Sequence, residues 1–298
     1  MIELINVNGR ITSPEEAAIS PLDRGFLYGD SVYETIRTYH SRPFRLAAHV
    51  DRLRRSAEAL GIPHARAAVE PGAAALATLA RAPGQESAVR IVLTRGVGGV
   101  GYDPAALGPP TVVVHVRPYP EIPAAWRREG VDVAVVQVTR NAVTAVDPAI
   151  KSSNLLNNYL AWEAGRRLGV FEPILLSPDG RVAEGATSNL FIVRGGRLAT
   201  PEPATGILRG ITREVVLELA REASLPVDET ALLPGELRGA DEIFLTSTLK
   251  GILPVRRCDG WPVHDGRPGP VTRRLIDLFD ALVQQETNAG ASPGATLR

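Results

Sequence analysis

Cysteine, methionine and lysine are almost absent from this chain. Cys258 is the only cysteine, which excludes an intrachain disulfide and a four-thiolate zinc site and fits a reducing compartment. No metal site is expected. No apolar run approaches the ~20 residues needed to span a bilayer. The opening MIELINVNGRI carries charges within a strand-and-turn pattern instead of the apolar block of a signal peptide. Net charge is missing as well. Lys plus Arg and Asp plus Glu each total 33, so neither nucleic acid nor an anionic membrane is an expected partner. With 44% apolar and 22% charged residues, the composition is that of an ordinary soluble protein, and a cytoplasmic location is the simplest expectation.

What is present reads as interleaved strands and helices. Strands are expected at 2–7, 32–39, 89–95, 111–119, 131–138 and 242–248, where β-branched and aromatic residues cluster. ILLS (174–177) and NLFIV (189–193) read as strands paired across a Pro178-Asp179-Gly180 turn. Helices are expected at 47–60, 72–81, after Lys151 as far as Gly169, at 211–223 and at 270–286, where apolar residues recur every three or four positions. The irregular order favours an α+β fold in two domains over a doubly wound sheet. We expect a small N-terminal α/β domain over 1–118, a proline-bearing linker over 119–130, and a larger β-rich domain over 131–286. The small polar tail 287–298 reads as disordered.

Gly96, Gly98 and Gly101 spell GxGxxG after a strand. A dinucleotide site needs a helix next, whereas YDPAALGPP follows and the next strand begins about ten residues on, too soon for a parallel crossover. The glycines are better read as a turn lying close to a ligand.

Lysine scarcity is informative. Lys151 and Lys250 are the only two, and arginine supplies every other basic side chain. A chain so arginine-biased keeps a lysine where an ionisable primary amine is needed, because guanidinium cannot condense with a carbonyl. Lys151 sits in PAIKSSNLLNN, after a loop and before a helix. Glu184 lies in RVAEGATSNLFIV at a turn before an apolar strand. In TGILRGITREVV the glycines at 206 and 210 open directly into an amphipathic helix. The amides of Ile211 and Thr212 then point out of a helix N-terminus, a natural phosphate site. Arg52 stands in HVDRL on a helix, and Ser247-Thr248 ends a strand.

These segments together resemble the fold-type IV, or class IV, pyridoxal-phosphate-dependent aminotransferases, which include branched-chain and D-amino-acid aminotransferases and 4-amino-4-deoxychorismate lyases. The resemblance rests on RGFLYGDSVYET (24–35), HVDRL, KSSNLL, EGATSNLF, GILRGITR, the Ser-Thr pair and GPVTRRL, in that family's order over roughly residues 3–285. It implies a homodimer with pyridoxal 5′-phosphate at the interface of the two domains. Lys151 would hold the cofactor and later carry a proton, and Glu184 would face the pyridine nitrogen. Arg52, Ile211, Thr212, Ser247 and Thr248 would hold the phosphate, and Leu208 would pack on the ring. Leu155 stands where branched-chain enzymes often have tyrosine and resembles the D-amino-acid enzymes.

For the substrate, the resemblance implies a pocket of Tyr28, Tyr33, Arg37, Arg90, Arg95, Val100 and Tyr102. Val100 stands where D-amino-acid enzymes place a carboxylate-gripping arginine, which favours an aliphatic or branched-chain amino acid exchanged with a 2-oxo acid. A D-amino-acid or (R)-amine transaminase, a deoxychorismate lyase and a non-catalytic dimeric binding protein of the same fold are the alternatives.

Overall fold

The computed structural model describes residues 2–99, 101–103 and 106–288. Val100 and the tail beyond 288 lie outside the described residues. The chain divides into two units, one running to Pro120 and taking in the chain from Asp280, the other being Glu121–Phe279.

In the first unit β1 (Leu4–Val7), β2 (Arg10–Thr12), α1 (Arg24–Tyr28), β3 (Ser31–Tyr39), β4 (Arg42–Pro43), α2 (Leu46–Ala59), α3 (Pro71–Leu79), β5 (Ser87–Thr94) and β6 (Val112–Pro118) follow in order. The strands form one sheet in the order β2-β1-β6-β5-β3-β4. Strict alternation along β3 buries Val32, Glu34, Ile36 and Thr38 and leaves Tyr33, Arg37 and Tyr39 half-buried, as the two-residue period of a strand requires. Helix α2 packs on the buried side of β3 through His49, Val50, Arg52, Leu53, Ser56 and Ala57. The GxGxxG stretch lies between β5 and β6, which pair antiparallel with Val92 opposite Val113. That rules out a parallel crossover there.

The second unit contains α4 (Ala124–Glu129), β7 (Val131–Val135), α5 (Leu156–Arg167), β8 (Glu172–Leu176), β9 (Val182–Gly185), β10 (Asn189–Arg194), β11 (Arg197–Pro201), α6 (Ile211–Glu222), β12 (Val227–Thr230), α7 (Pro234–Arg238), β13 (Glu242–Ser247), β14 (Gly251–Cys258) and β15 (Trp261–Pro262). Helix α8 (Pro270–Thr287) is the last described element and takes in Thr287, a residue expected in the tail. Helix α4 thus occupies part of the stretch 119–130 expected as linker. The sheet order is β12-β11-β10-β13-β14-β7-β8-β9, with β15 beside β14, and β9 also touches β10, so the sheet curls back on itself. Its core gathers Val133, Ile174, Val182, Leu190, Ile192, Leu245 and Leu253. Phe191 and Phe244 stack face to face at 4.9 Å beside it.

Two expectations need correcting. NLFIV does not pair with ILLS: β10 pairs with β11 and β13, while β8 pairs with β9, the short VAEG run that its glutamate and glycine disguised. Strand β14 was also unforeseen, because Pro254 lies within it opposite Phe244, and an internal proline argues against a central strand. The GPVT run is a helix start. Glu242 accepts the amides of Val271 (3.0 Å) and Thr272 (2.7 Å) and the Thr272 hydroxyl (2.6 Å), satisfying first-turn donors that a helix leaves unpaired.

Candidate active site

Glu184 is the third residue of β9 and is only 5% exposed. Three donors converge on its carboxylate: Arg140 Nε at 2.9 Å, Asn189 Nδ2 at 3.1 Å and the Leu208 amide at 3.0 Å. Burial pushes its pKa up. Arg140, the Leu208 amide and the charge of Lys151 only partly offset that, since taking a carboxylate out of water favours its neutral form. A carboxylate offers about four acceptor positions, so three donors leave room for one more. The acid can therefore accept one further donor, and Lys151 is close enough to act on it electrostatically.

Lys151 itself is half-buried in the turn before α5. The neighbouring amides of Ile150, Ser152 and Leu155 close short local hydrogen bonds to Asp147, Ile150 and Ser153 at 2.8–3.0 Å. These fix the turn ahead of the helix. Arg140 is anchored behind Glu184 by Asn157 and Asn158 on the first turn of α5, at 3.2 and 3.4 Å. One helix thus follows the lysine directly and also steadies the cation that faces the glutamate.

The segment from Gly206 to α6 supplies anion-binding chemistry in the same unit. Gly210 caps α6 with no side-chain hydrogen bond, so the Ile211 and Thr212 amides keep the partial positive charge of a helix N-terminus. A side chain at 210 is excluded: its Cβ would lie 2.1 Å from Asn189 Oδ1. Thr205 Oγ1, Thr246 Oγ1 and Ser153 Oγ are buried without a hydrogen-bond partner, an arrangement that costs stability unless something polar fills it. Ser247 ends β13 and Thr248 begins the turn after it, both half-buried.

In the first unit Arg52 is buried and spans both oxygens of Glu34, Nε to Oε1 at 2.7 Å and Nη2 to Oε2 at 2.8 Å. His49 Nδ1 approaches the second oxygen at 2.7 Å. Burial pushes Glu34 up, but Arg52 and His49 outweigh it and hold the acid at about 2. Tyr33, Arg37 and Arg90 share the half-buried face of the sheet, with Arg90 4.0 Å over the Tyr33 ring and Arg37 packed on Tyr39 and Tyr119. Burial lowers the pKa of Arg90, with Tyr33 opposing and Arg117 reinforcing the shift.

Tyr28 and Tyr102 lie 5.9 Å apart against Arg24. Arg95 is engaged within its own unit: its Nε binds Asp30 at 2.7 Å, and its other nitrogens bind the Leu60 and Gly61 carbonyls at 2.7 and 2.8 Å. It ties off the end of α2 with three of its five N–H groups.

Sequence reasoning passed over Arg140, Asn189 and Glu34. Asn189 lay within the EGATSN segment and was findable. Arg140 stands 44 residues from Glu184, and nothing in its local pattern distinguishes it.

Over residues 31–258 the chain matches the class IV amino-transferase family. It is 38% identical to a Methanocaldococcus jannaschii protein provisionally named a branched-chain-amino-acid aminotransferase, covering 92% of this chain and 94% of the relative. It is 32% identical to D-alanine aminotransferase of Staphylococcus aureus strain MW2, over 96% and 100%. The solved Escherichia coli branched-chain amino acid aminotransferase superposes with a TM-score of 0.89 at 33% identity, over 97% of each chain. A second solved branched-chain amino acid aminotransferase, complexed with N-(5′-phosphopyridoxyl)-L-glutamate, gives 0.87 at 31%, over 95% and 94%.

The chain belongs to the class IV aminotransferases. Its cofactor is pyridoxal 5′-phosphate, and the second unit fits that group. It offers a primary amine at 151, a buried acid with an acceptor position to spare, an uncapped helix N-terminus and orphaned hydroxyls.

Proposed function

We propose that this aminotransferase passes the amino group of an aliphatic, branched-chain amino acid to a 2-oxo acid, working as a cytoplasmic homodimer. The observation that carries the catalytic reading is the Glu184 carboxylate, buried with three donors and within electrostatic reach of Lys151. When bound, the cofactor supplies an electron sink for the carbanion developing at the donor's Cα. Glu184 holds the proton on the pyridine nitrogen, with Arg140 and Asn189 fixing its orientation. Nζ of Lys151 would hold the cofactor and would take up the donor's Cα proton. Ile211, Thr212, Ser247, Thr248 and Arg52 bind the phosphate, and Leu208 packs on the ring. Of the substrate residues, Arg90 and Arg37 receive carboxylates beside the rings of Tyr33, Tyr28 and Tyr102.

The branched-chain preference draws support from the branched-chain relatives and from apolar Val100 in the substrate loop. The D-alanine relative and Leu155 favour a D-amino-acid donor as the second reading. Dimer formation is supported by side chains left open to solvent, Phe26 on α1 and Leu156, Tyr159, Leu160 and Trp162 on α5. Exposed apolar groups of this number on one helix mark an association surface. Buried Cys258, its thiol pushed by burial and Asp259 up to about 12, is held protonated and unreactive. The deciding experiment is a donor panel of L- and D-leucine, D-alanine, (R)-1-phenylethylamine and aminodeoxychorismate. L-leucine is expected to lead. A clear lead for D-alanine overturns the branched-chain assignment, and lead by aminodeoxychorismate overturns transamination itself.

A further inference from the structure

Glu172 opens β8 and is 1% exposed, far more buried than an unpaired carboxylate tolerates. Its hydrogen-bond donors come from the turn between β9 and β10. Oε1 accepts the Thr187 amide at 2.6 Å and the Ser188 hydroxyl at 2.9 Å, and both oxygens lie 3.0 Å from the Thr187 hydroxyl. The turn is moulded around this acid. A Cβ on Gly185 would lie 2.7 Å from Glu172 Oε1 and 2.4 Å from Ser188 Oγ. The two ends of the same turn are Glu184 and Asn189, which meet at 3.1 Å in the candidate site.

The counter-charge arrives from a second part of that site. Lys250 Nζ lies 3.6 Å from Glu172 Oε2, donates to Thr187 Oγ1 at 3.0 Å, and sits 4.8 Å over the Phe171 ring. Lys250 stands two residues after Thr248, in the turn joining β13 to β14. One buried carboxylate therefore ties together the turn that carries the acid for the pyridine nitrogen and the turn that carries two phosphate-binding hydroxyls.

We infer that Glu172, neutralised by Lys250, is a positioning residue that sets the spacing between the nitrogen-facing and phosphate-facing loops of the cofactor site. Neither residue touches the reacting atoms. Their effect passes through Glu184 at one end and through Ser247-Thr248 at the other. The inference rests on the proposed role of Glu184, and the test separates the two.

Holoenzyme is prepared as parent, Glu172→Ala, Glu172→Gln, Glu184→Gln and the double variant Glu172→Ala/Glu184→Gln. Turnover and donor KM are measured at saturating cofactor, cofactor affinity by titrating apoenzyme, and Tm by calorimetry. Glu172→Ala is expected to lower kcat roughly tenfold, the scale of a slightly misplaced catalytic group. Cofactor affinity should also fall, while donor KM moves less than about twofold. Glu172→Gln, which keeps an acceptor but not the charge, should recover part of both. In the Glu184→Gln background the kcat loss should shrink to less than about twofold, because groups acting as one unit are not additive. Equal fractional losses in both backgrounds overturn the inference, as does a lower Tm with kcat and cofactor affinity unchanged. If Glu172→Ala does not fold, Lys250→Met, altering a partly exposed side chain, is carried through the same cycle. It should show a smaller loss that again vanishes without Glu184. A silent Glu184→Gln overturns the underlying site reading as well.

Discussion

At the scale of single residues, the two charged groups that define the site are held in opposite ways. Lys151 occupies a turn fixed by backbone hydrogen bonds, so its replacement should cost little stability. Lys151→Ala is expected to abolish transamination and the cofactor's covalent attachment while leaving Tm within a few degrees of the parent. Reduction with radiolabelled hydride, followed by peptide mapping, checks the attachment. Glu184 is a buried acid whose pKa burial pushes above the usual 4.5 against the pull of Arg140, the Leu208 amide and Lys151. Glu184→Gln keeps the shape but cannot hold a proton on the pyridine nitrogen. Loss of one such electrostatic partner costs on the order of 10²–10³ in rate, and a steady-state kcat within tenfold of the parent would demote Glu184 to a turn residue.

Arg52 requires a more careful substitution. Arg52→Ala would strand the Glu34 carboxylate, and breaking a buried pair costs roughly 3–5 kcal/mol. Arg52→Lys keeps the charge but cannot span both Glu34 oxygens. It should weaken cofactor binding about ten- to a hundredfold with turnover nearly kept at saturating cofactor, as read by equilibrium dialysis. Lys151 was legible through the scarcity of lysine, and Arg52 through its motif. Arg140 was not, because its meeting with Glu184 is made by the fold alone.

The elements divide by how their pattern relates to their environment. Helices α2 and α6 were readable because each buries one face, and the apolar period survives in the sequence. Strands β9 and β14 were not. The first carries the buried acid Glu184 and a packing glycine where apolar residues would announce a strand, and the second carries Pro254. Local rules fail first where function or close packing has overridden propensity.

The junction before α6 allows a test at this scale. Gly210→Ala would drive a methyl into Asn189 Oδ1, disturbing the residue that links Glu184 to the Leu208 carbonyl. Overpacking of this kind costs roughly 1–3 kcal/mol. Cofactor affinity should fall by at least about tenfold alongside a lower Tm. Full affinity in a folded variant would mean that the phosphate is bound elsewhere.

Across the whole molecule, two buried acids give stability opposite dependences on pH. Glu34 is held at about 2, below its usual 4.5. Its contribution is therefore complete above 4.5 and is lost as pH falls towards 2. A shift of this size corresponds to about 3 kcal/mol. Glu184 is shifted upwards, so in apoenzyme its contribution is present below pH 4.5 and lost as pH rises through the shifted value. Denaturant midpoints followed from pH 2 to 7 should show Glu34→Gln flattening the acid limb and Glu184→Gln flattening the other. An acid limb unchanged by Glu34→Gln would show that the Arg52 and His49 pairing does not hold the acid down.

The shortage of amines has a practical side. Apart from the N-terminus, the chain offers aldehydes only Lys151 and a Lys250 already engaged by Thr187, Glu172 and Phe171. In most proteins a dozen surface lysines blur such labelling. Here borohydride trapping of an added aldehyde, with the N-terminal label set aside, becomes a count of competent lysines, one per chain. The same poverty means that amine-directed immobilisation or crosslinking has, besides the N-terminus, little but Lys151 to seize, so supports for this enzyme are better chosen to grip its arginines.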